Sequence, residues 1–236
     1  MSISLKRARA IFVKDYKEFS RNYAISIILT FPIMFALLFR VSSPSLTVAA
    51  GFVLNTSFVI LTSLAQACLI AEEKERNTLR SLMMTPATTM DVLIGKSTLV
   101  FVMSAVVLAI ATYILGYVPA SLWAFVATII FSIILYTAAG TICGLYSKTL
   151  LEASLSIMPV ALVFTGAPWG VLLADDFPIF KVLEYAPSVQ LVHLLNIRNI
   201  GFTTVDLLKP VLITLAWTVV LTIVSVVLYQ RRLKDE

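Results

Sequence analysis

The fold of this chain is decided by the run TVAAGFVLNTSFVILTSLAQACLIA, residues 47–71, and by the charged stretch EEKERNTLR, residues 72–80, that ends it. A helix that rises 1.5 Å per residue needs about 20 apolar residues to cross about 30 Å of hydrocarbon. The first run exceeds that length without a single charge, and the charges after it mark the point where the helix leaves the membrane. The two stretches together predict a transmembrane helix.

Five further apolar runs are of similar character, at residues 23–39, 97–117, 122–146, 155–174 and 211–229. Hydrophobic residues make up 59% of the chain and charged residues 13%, with a mean hydropathy of +0.96. An average soluble domain has about 25% charged residues, so this chain lacks the polar coat that a soluble protein needs. We therefore predict an all-α membrane protein with six transmembrane helices, in which residues 1–236 form a single domain.

Basic residues are distributed unevenly over this predicted topology. Fourteen of the 18 lysines and arginines lie before the first span, between the second and third, after the fourth or after the sixth. Only Arg40, Lys181, Arg198 and Lys209 lie in the other loops. Loops rich in lysine and arginine remain in the cytoplasm, which predicts that both termini are cytoplasmic. This distribution accounts for the net charge of +5 without a nucleic-acid partner.

The N-terminal segment, residues 1–21, is predicted to contain an amphipathic helix. Leu5, Ala8, Phe12, Tyr16 and Phe19 recur at spacings of three and four, which would put them on one helical face. A basic amphipathic segment beside a span is typical of a helix that lies in the membrane interface, in contact with lipid. The alternative is a plain orientation signal.

Polar residues interrupt the second span at spacings close to whole helical turns. Asn55, Thr62 and Gln66 are separated by seven and four residues, which would place them on one face. Polar groups in lipid need partners or a water-filled cavity. The three residues therefore either line a pathway through the membrane or hold neighbouring helices together.

Glycine and proline predict local features of the fourth and fifth spans. Gly140 and Gly144 have the spacing that lets two helix backbones approach closely, either within the chain or between two copies. The run from Gly166 through Pro168 and Trp169 to Gly170 is expected to break the fifth helix.

Residues 175–206, which follow the fifth span, are only moderately apolar. This segment is predicted to form short helices on the outer face of the membrane. Its lone His193 is expected to be solvated or packed, and Cys68 and Cys143 do not have the spacing of metal ligands. We expect no metal site.

The largest polar insertion, residues 72–96, carries the clearest functional signals. Pro86 disfavours helix at Thr85 and marks a turn. Thr88, followed three residues later by Asp91, predicts a helix N-terminus with a hydroxyl cap and an acid in the first turn. An apolar surface suited to a partner protein is provided by Leu79, Leu82, Met83 and Met90. The alternative is an ordinary solvated loop.

The tripeptide Gly95-Lys96-Ser97 matches the end of a phosphate-binding loop. That motif requires its first glycine at position 90, which is Met90, and it follows a strand rather than leading into a span. We therefore exclude nucleotide binding here, and energy for any transport has to come from elsewhere.

Residues 72–96 resemble the signature stretch of the ABC type-two exporter permeases. The shared pattern is an acidic-basic-acidic run, a leucine-rich turn, Thr85-Pro86, and Gly95-Lys96 at the next span. The N-terminal helix, the six spans and the break after the fifth are also similar, so the resemblance covers nearly the whole chain. Asn77 departs from the pattern, because the family often has glycine there.

The resemblance implies a role for each segment. Residues 85–91 would dock on a separate ATP-hydrolysing subunit, residues 6–21 would form the connecting helix, the second and fifth spans would line a path between two permease subunits, and residues 166–199 would form the outer gate. The site residues implied are Thr85, Pro86, Thr88, Thr89, Met90 and Asp91 for coupling, Asn55, Thr62 and Gln66 for the pathway, and Gly166, Pro168 and Trp169 for the outer gate.

These implications define the expected function. The chain would be the non-enzymatic permease subunit of an ATP-driven exporter in the plasma membrane of a prokaryote, with antibiotics, antimicrobial peptides or other amphipathic compounds as cargo. It would pair with a second permease, identical or a close paralogue, and with two ABC ATPase subunits that carry the ATP and Mg²⁺. Alternatives are export of lipid-linked glycan, haem or ions, a non-transporting sensor or scaffold, and an intramembrane enzyme. The last would need a nucleophile with a base, or paired acids, within the membrane.

Overall fold

Long apolar helices account for most of the structure, a computed structural model that describes residues 4–21, 27–42, 45–75, 88–197 and 203–235. Within these ranges no strand occurs, so the all-α prediction is confirmed there. Short 3-10 segments at Ile27–Leu29, Val171–Leu173 and Pro178–Tyr185 join some of the helices. In chain order the helices are α1 (Leu5–Arg21), α2 (Thr30–Ser42), α3 (Leu46–Glu75), α4 (Thr89–Leu115), α5 (Leu122–Tyr146), α6 (Leu150–Ser156), α7 (Met158–Gly170), α8 (Pro187–Asn196) and α9 (Thr204–Asp235).

Five helical segments in the described ranges are long and apolar enough to cross a membrane. They are Leu46–Glu75, Met90–Leu115, Leu122–Tyr146, Leu150–Leu173 and Thr204–Arg231. The predicted first span corresponds to a shorter apolar helix, Ile27–Ser42, and residues 22–26 at its predicted start lie outside the described residues. Helix length therefore supports five spans, and the sixth stays a prediction.

Helix α3 lies at the centre of the bundle, where α2, α4, α5 and α8 pack against it. Its middle turn, Phe58–Ser63, is π-helical. Phe58 stacks on Tyr136 of α5 with ring centroids 5.3 Å apart, and the Ser63 hydroxyl donates to the Tyr136 carbonyl oxygen at 2.7 Å. A π-helical turn holds more residues than an α-helical turn, so it rotates the two halves of α3 relative to an ideal α-helix.

Two glycines of α5 set the distance between α5 and α3. A Cβ atom on Gly140 would overlap the carbonyl oxygen of Ser63, and one on Gly144 would lie 2.8 Å from the carbonyl oxygen of Ala67. Only glycine allows these backbones to come so close. Of the two alternatives for this pair, packing within the chain is confirmed.

Helix α1 is formed as predicted, but it buries a different face from the predicted one. Ala8 and Phe19 are buried, whereas Leu5 and Tyr16 of the predicted face are exposed. The buried stripe consists of Ala8, Ile11, Asp15 and Phe19, and it packs against α4. The rotation has a physical reason, because it brings the carboxylate of Asp15 to a buried cation on α4. Placement of α1 in the membrane interface stays a prediction.

The predicted break in the fifth span is wrong. Helix α7 runs continuously from Met158 to Gly170, with Pro168 inside it, and the interruption occurs earlier, at Ile157 between α6 and α7. Pro159 stands in the first turn of α7, where a missing N–H costs nothing, and therefore favours a helix start. Pro168 removes one hydrogen bond within the last turn of α7, and this does not end the helix.

The predicted short helices after the fifth span are present as the 3-10 segment Pro178–Tyr185 and as α8. Two hydrogen bonds tie this region to the spans. The Tyr117 hydroxyl donates to the Leu195 carbonyl oxygen at 2.9 Å, and the Trp217 indole N–H donates to the Tyr185 carbonyl oxygen at 2.8 Å.

The close approach of α3 and α5 predicts that even one methyl group at Gly140 is destabilising. We expect Gly140→Ala to lower the free energy of unfolding by about 1–3 kcal/mol, the usual cost of overpacking. Thermal unfolding of the purified protein in detergent measures the change. Gly166→Ala is the matched control, because no atom outside its own turn lies within 4 Å of the added Cβ. Equal melting temperatures for the two variants would contradict the packing described.

Candidate functional site

Helix α4 begins with a complete capping box. The Asp91 backbone N–H donates to Oγ1 of Thr88 at 3.1 Å, and the Thr88 backbone N–H donates to Oδ2 of Asp91 at 2.9 Å. This confirms the helix start predicted from these two residues. Reciprocal bonds of this kind satisfy two donors that would otherwise lack partners at the N-terminus of a helix.

Asp91 also joins the start of α4 to the start of α1. Its Oδ1 accepts the backbone N–H of Ser4 at 2.8 Å, and its Oδ2 accepts Nε of Arg7 at 2.7 Å. The Asp91 side chain is fully buried, whereas that of Arg7 is 32% exposed, so the link lies at the edge of the bundle. The sequence indicated the cap but not this second use of the carboxylate, because the partners lie more than 80 residues away along the chain.

A cluster of opposite charges is buried one to two turns further along α4. We call Lys14, Asp15, Glu73 and Lys96 the ion-pair cluster. Nζ of Lys96 lies 3.2 Å from Oδ2 of Asp15 and 3.0 Å from Oε1 of Glu73, and it donates to the Leu69 carbonyl oxygen at 3.2 Å. Lys96 and Asp15 are both 1% exposed. A buried ammonium is tolerated only when it is paired and hydrogen-bonded in this way.

Lys14 completes the cluster at its exposed edge. Its Nζ lies 3.0 Å from Oε1 of Glu73 and 3.4 Å from Oδ1 of Asp15. Partial burial disfavours the charged ammonium, but the carboxylate of Glu73, assisted by those of Asp15 and Glu18, outweighs burial and raises the pKa of Lys14. Lys14 is therefore cationic at physiological pH, and the four charges of the cluster balance.

Gly95 explains how α1 comes close enough to α4 for these contacts. A Cβ atom on Gly95 would lie 2.9 Å from the carbonyl oxygen of Ala8 and 2.9 Å from Cβ of Ile11. The pair Gly95-Lys96 therefore has a structural meaning in this chain. The glycine admits α1, and the following lysine pairs with the acid that α1 brings. Asp15 did carry a sequence signal, because it is an acid on a stripe otherwise occupied by Ala8, Ile11 and Phe19.

The predicted coupling residues fall partly outside the described residues. This applies to Thr85 and Pro86, and the side chain of Thr89 is also not described. Thr88 and Asp91 are occupied by the capping box, and Met90 is half-buried, with its Sδ 3.5 Å from Nε2 of Gln230. None of these contacts tests a coupling role.

A cavity of about 210 Å³ lies at the opposite end of α3, between α3, α7 and α8. We call it the Asn55 cavity. It is lined by Asn55 of the predicted pathway and by Pro168 and Trp169 of the predicted outer gate, whereas Gly166 is not among its lining residues. Nδ2 of Asn55 donates to the Ser188 carbonyl oxygen at 3.2 Å. Oδ1 of Asn55 has no hydrogen-bond partner among the described residues.

The other two predicted pathway residues contact neighbouring helices instead. The hydroxyls of Thr62 and Ser104 are 2.9 Å apart, and Nε2 of Gln66 donates to Oγ1 of Thr141 at 3.1 Å. Both side chains are fully buried. The π-helical turn lies between Asn55 and Gln66, so the two side chains point to different sides of α3. These contacts fit the alternative in which Thr62 and Gln66 hold neighbouring helices together. Of the three residues, Asn55 is the one that lines this cavity.

The ion-pair cluster predicts a large cost for removing its central cation. Lys96→Met leaves two buried carboxylates to the partly exposed Lys14, and breaking a buried pair costs about 3–5 kcal/mol. We expect a corresponding fall in the free energy of unfolding, measured by denaturation in mixed micelles.

Two further variants control this measurement. Lys148→Met removes an exposed lysine and is expected to change stability by less than about 0.5 kcal/mol. Lys96→Met combined with Asp15→Asn is expected to lose less than the sum of the two single variants, because the second change removes a stranded charge. Additive losses would show that Lys96 and Asp15 do not interact.

Comparison with known proteins agrees with this architecture. No curated protein matches the chain. A family model described as "ABC-2 family transporter protein" matches residues 58–232, about three quarters of the sequence. Among the described residues, no group of His, Cys, Asp and Glu could hold a metal ion. A match of this extent shows that the chain belongs to the ABC-2 transporter family, as a multi-pass membrane permease subunit.

Proposed function

We propose that this ABC permease subunit works as an exporter driven by a separate ABC ATPase. Family membership implies an ABC ATPase partner. In the proposed assembly, two permease copies, identical or paralogous, pair with two ATPase subunits that hold the ATP and Mg²⁺. The assembly would sit in a prokaryotic plasma membrane with both permease termini in the cytoplasm, as the distribution of basic residues predicts.

The connection between the spans and residues 76–87 is the observation that supports coupling most directly. This segment joins the end of α3 to the start of α4, so a force applied to it acts on both helices. Glu73 near the end of α3 and Lys96 near the start of α4 form a buried pair, and both contact α1. A partner that moves residues 76–87 would therefore move α1, α3 and α4 together, and α3 reaches the Asn55 cavity.

The cargo class is inferred from the Asn55 cavity. Among the described residues that line it, none is charged, and Asn55 provides a polar group between apolar neighbours such as Phe52 and Leu172. Such a lining suits amphipathic molecules, the class that includes antibiotics and antimicrobial peptides, and at about 210 Å³ it holds a part of such a molecule. An ion without a counter-charge would be costly there, which makes ion export the weaker alternative. Export of lipid-linked glycan or of haem is distinguished from the proposed function by measuring transport of each compound.

The coupling proposal predicts that residues 85–91, together with the apolar surface that precedes them and includes Met83, contact the ATPase directly. A photo-reactive amino acid at Met83 is expected to form an adduct with an ABC ATPase subunit in intact cells, identified by mass spectrometry. The same amino acid at Leu122, at the other end of the bundle, is the control and should give no such adduct. Absence of the adduct at Met83 would contradict the docking assignment.

Transport provides the functional half of this test. Met83→Glu would require a carboxylate to be desolvated at the docking surface, so ATP-dependent uptake of antibiotic into inside-out vesicles should fall to background. Membrane insertion and melting temperature should match the unchanged protein. If the unchanged complex hydrolyses ATP without any flux of amphipathic compounds, the sensor or scaffold alternative is preferred.

The pathway proposal predicts different outcomes for two polar residues of α3. Asn55→Leu removes the polar group of the cavity and is expected to change relative transport rates across a panel of amphipathic compounds, with little change in protein level. Gln66→Leu removes an interhelical hydrogen bond, worth about 1 kcal/mol, and is expected to reduce stability instead. Unchanged selectivity in Asn55→Leu would show that the Asn55 cavity does not contact cargo.

A further inference from the structure

A second cavity lies at the end of the bundle opposite the Asn55 cavity. Its volume is about 360 Å³, and it is an open cavity between the first turns of α4, the second half of α5 and the second half of α9. We call it the hydroxyl-lined cavity, because six side-chain hydroxyls line it: Ser97, Thr98, Thr137, Thr141, Thr222 and Ser225. Its size is at the lower end of the range found for small-molecule sites.

Most of these hydroxyls have already used their protons. Thr98 donates to the Ile94 carbonyl oxygen, Thr137 to that of Ile133, and Thr141 to that of Thr137, at 2.7–2.9 Å. Ser225 donates in the same way to the Thr222 carbonyl oxygen at 2.9 Å. Each of these oxygens keeps free lone pairs, so as a group they can accept hydrogen bonds but not donate them.

Two buried polar atoms at this cavity lack partners among the described residues. One is Oγ1 of Thr222, which lines the cavity and can both donate and accept. The other is Oε1 of Gln66, whose amide nitrogen bonds to Thr141 of the cavity wall. Buried polar atoms are nearly always satisfied, so a hydrogen-bonding occupant would supply the partner that Thr222 lacks.

The remaining wall is apolar and uncharged. Leu93, Phe101 and Ile134 are among the residues that form it, and no lining residue within the described ranges carries a charge. An ion would therefore lose its hydration without gaining a counter-charge. A neutral molecule with an apolar part can contact this wall without the cost of desolvating a charge.

We propose that the hydroxyl-lined cavity is a binding site for a neutral amphipathic molecule whose polar group donates a hydrogen bond, such as an alcohol or an amide. Its donor meets the acceptor oxygens of α5, its own oxygen accepts from Thr222, and its apolar part fills the space beside Phe101. The site is distinct from the Asn55 cavity, which lies at the other end of α3.

The hydroxyl-lined cavity lies beside the start of α4, so an occupant would contact that helix. Met90, Leu93 and Ile94 of the first two turns of α4 line it, directly after the capping box. An occupant therefore contacts the helix that continues from residues 76–87, and it separates α4 from α9. An effect of the occupant on ATP hydrolysis rests on the proposed function, whereas binding itself does not.

Photolabelling tests the binding site without the ATPase. The full chain in lipid nanodiscs is irradiated with an eight-carbon alkanol that carries a diazirine, and in parallel with the methyl ether of the same compound. We expect alcohol adducts within residues 90–101, 134–141 or 222–226, which excess 1-octanol removes. The ether should label these residues about fivefold less, the effect of one hydrogen bond. Equal labelling by both probes, or adducts spread along all lipid-facing helices, would show a groove filled by hydrocarbon and overturn the proposal.

Isosteric variants separate the hydroxyl contribution from folding. Thr222→Val keeps the side-chain shape and is expected to reduce the preference for the alcohol over the ether by at least half. Thr112→Val is the matched control on α4, because its hydroxyl bonds its own helix and lines a separate apolar groove. Val226→Phe should abolish labelling by filling the cavity, while size-exclusion profiles remain unchanged. Retention of the full alcohol preference in Thr222→Val would also overturn the proposal.

Discussion

The structure depends on the burial of the Lys96 ammonium beside the carboxylates of Asp15 and Glu73. An unpaired charge inside a protein costs several kcal/mol, so the buried ammonium is acceptable only where carboxylates accompany it, and Lys14 balances the second of them. Their positions on α4, α1 and α3 fix how these helices pack. Gly95 makes the approach of α1 possible, and the link from Asp91 to Ser4 and Arg7 sets its direction. The amphipathic N-terminal helix is therefore part of the folded bundle rather than an appendage.

The interior of the bundle follows a second constraint, which is that polar groups away from water need partners. Thr62 meets it through a hydroxyl on α4, the amide nitrogen of Gln66 through a hydroxyl on α5, and Ser63 through a backbone carbonyl. At two of the places where the partners are incomplete, Asn55 and Thr222, the residue lines a cavity. These two places lie at opposite ends of α3, and both are proposed here as places where small molecules bind.

Much of this architecture could be predicted from the sequence, because the signals are local. Apolar runs define long helices, and the hydroxyl of Thr88 with the acid at Asp91 defines the start of α4. The fifth span was predicted less well, because proline and glycine near the end of a helix remove only one hydrogen bond and are tolerated. The buried face of α1 was also missed. It is chosen by Lys96, more than 80 residues away, and no periodicity within α1 contains that information.

The candidate site was also predicted only in part, where its signals are local in the sequence. The sequence identified residues 72–96 and Asn55 as important, since polar groups in a span and an apolar surface in a polar loop are unusual within their own segments. It could not distinguish Asn55 from Thr62 and Gln66, because the π-helical turn at Phe58–Ser63 changes the direction of α3 between them. At that turn α3 contacts α5, with Phe58 stacked on Tyr136 and Ser63 bonded to the Tyr136 carbonyl oxygen.

The ion-pair cluster also has a consequence for biosynthesis. A ribosome makes α1 first, yet the lysine that satisfies Asp15 is 81 residues further along the chain. Until that lysine emerges, Asp15 lies on a helix without its buried partner, and it has to stay in contact with water or lipid headgroups. Glu73 is already present when Lys96 of α4 emerges, and the cluster is complete once α1 brings Asp15 to the same ammonium. The order of synthesis therefore makes docking of the N-terminal helix a late event, completed when α4 arrives.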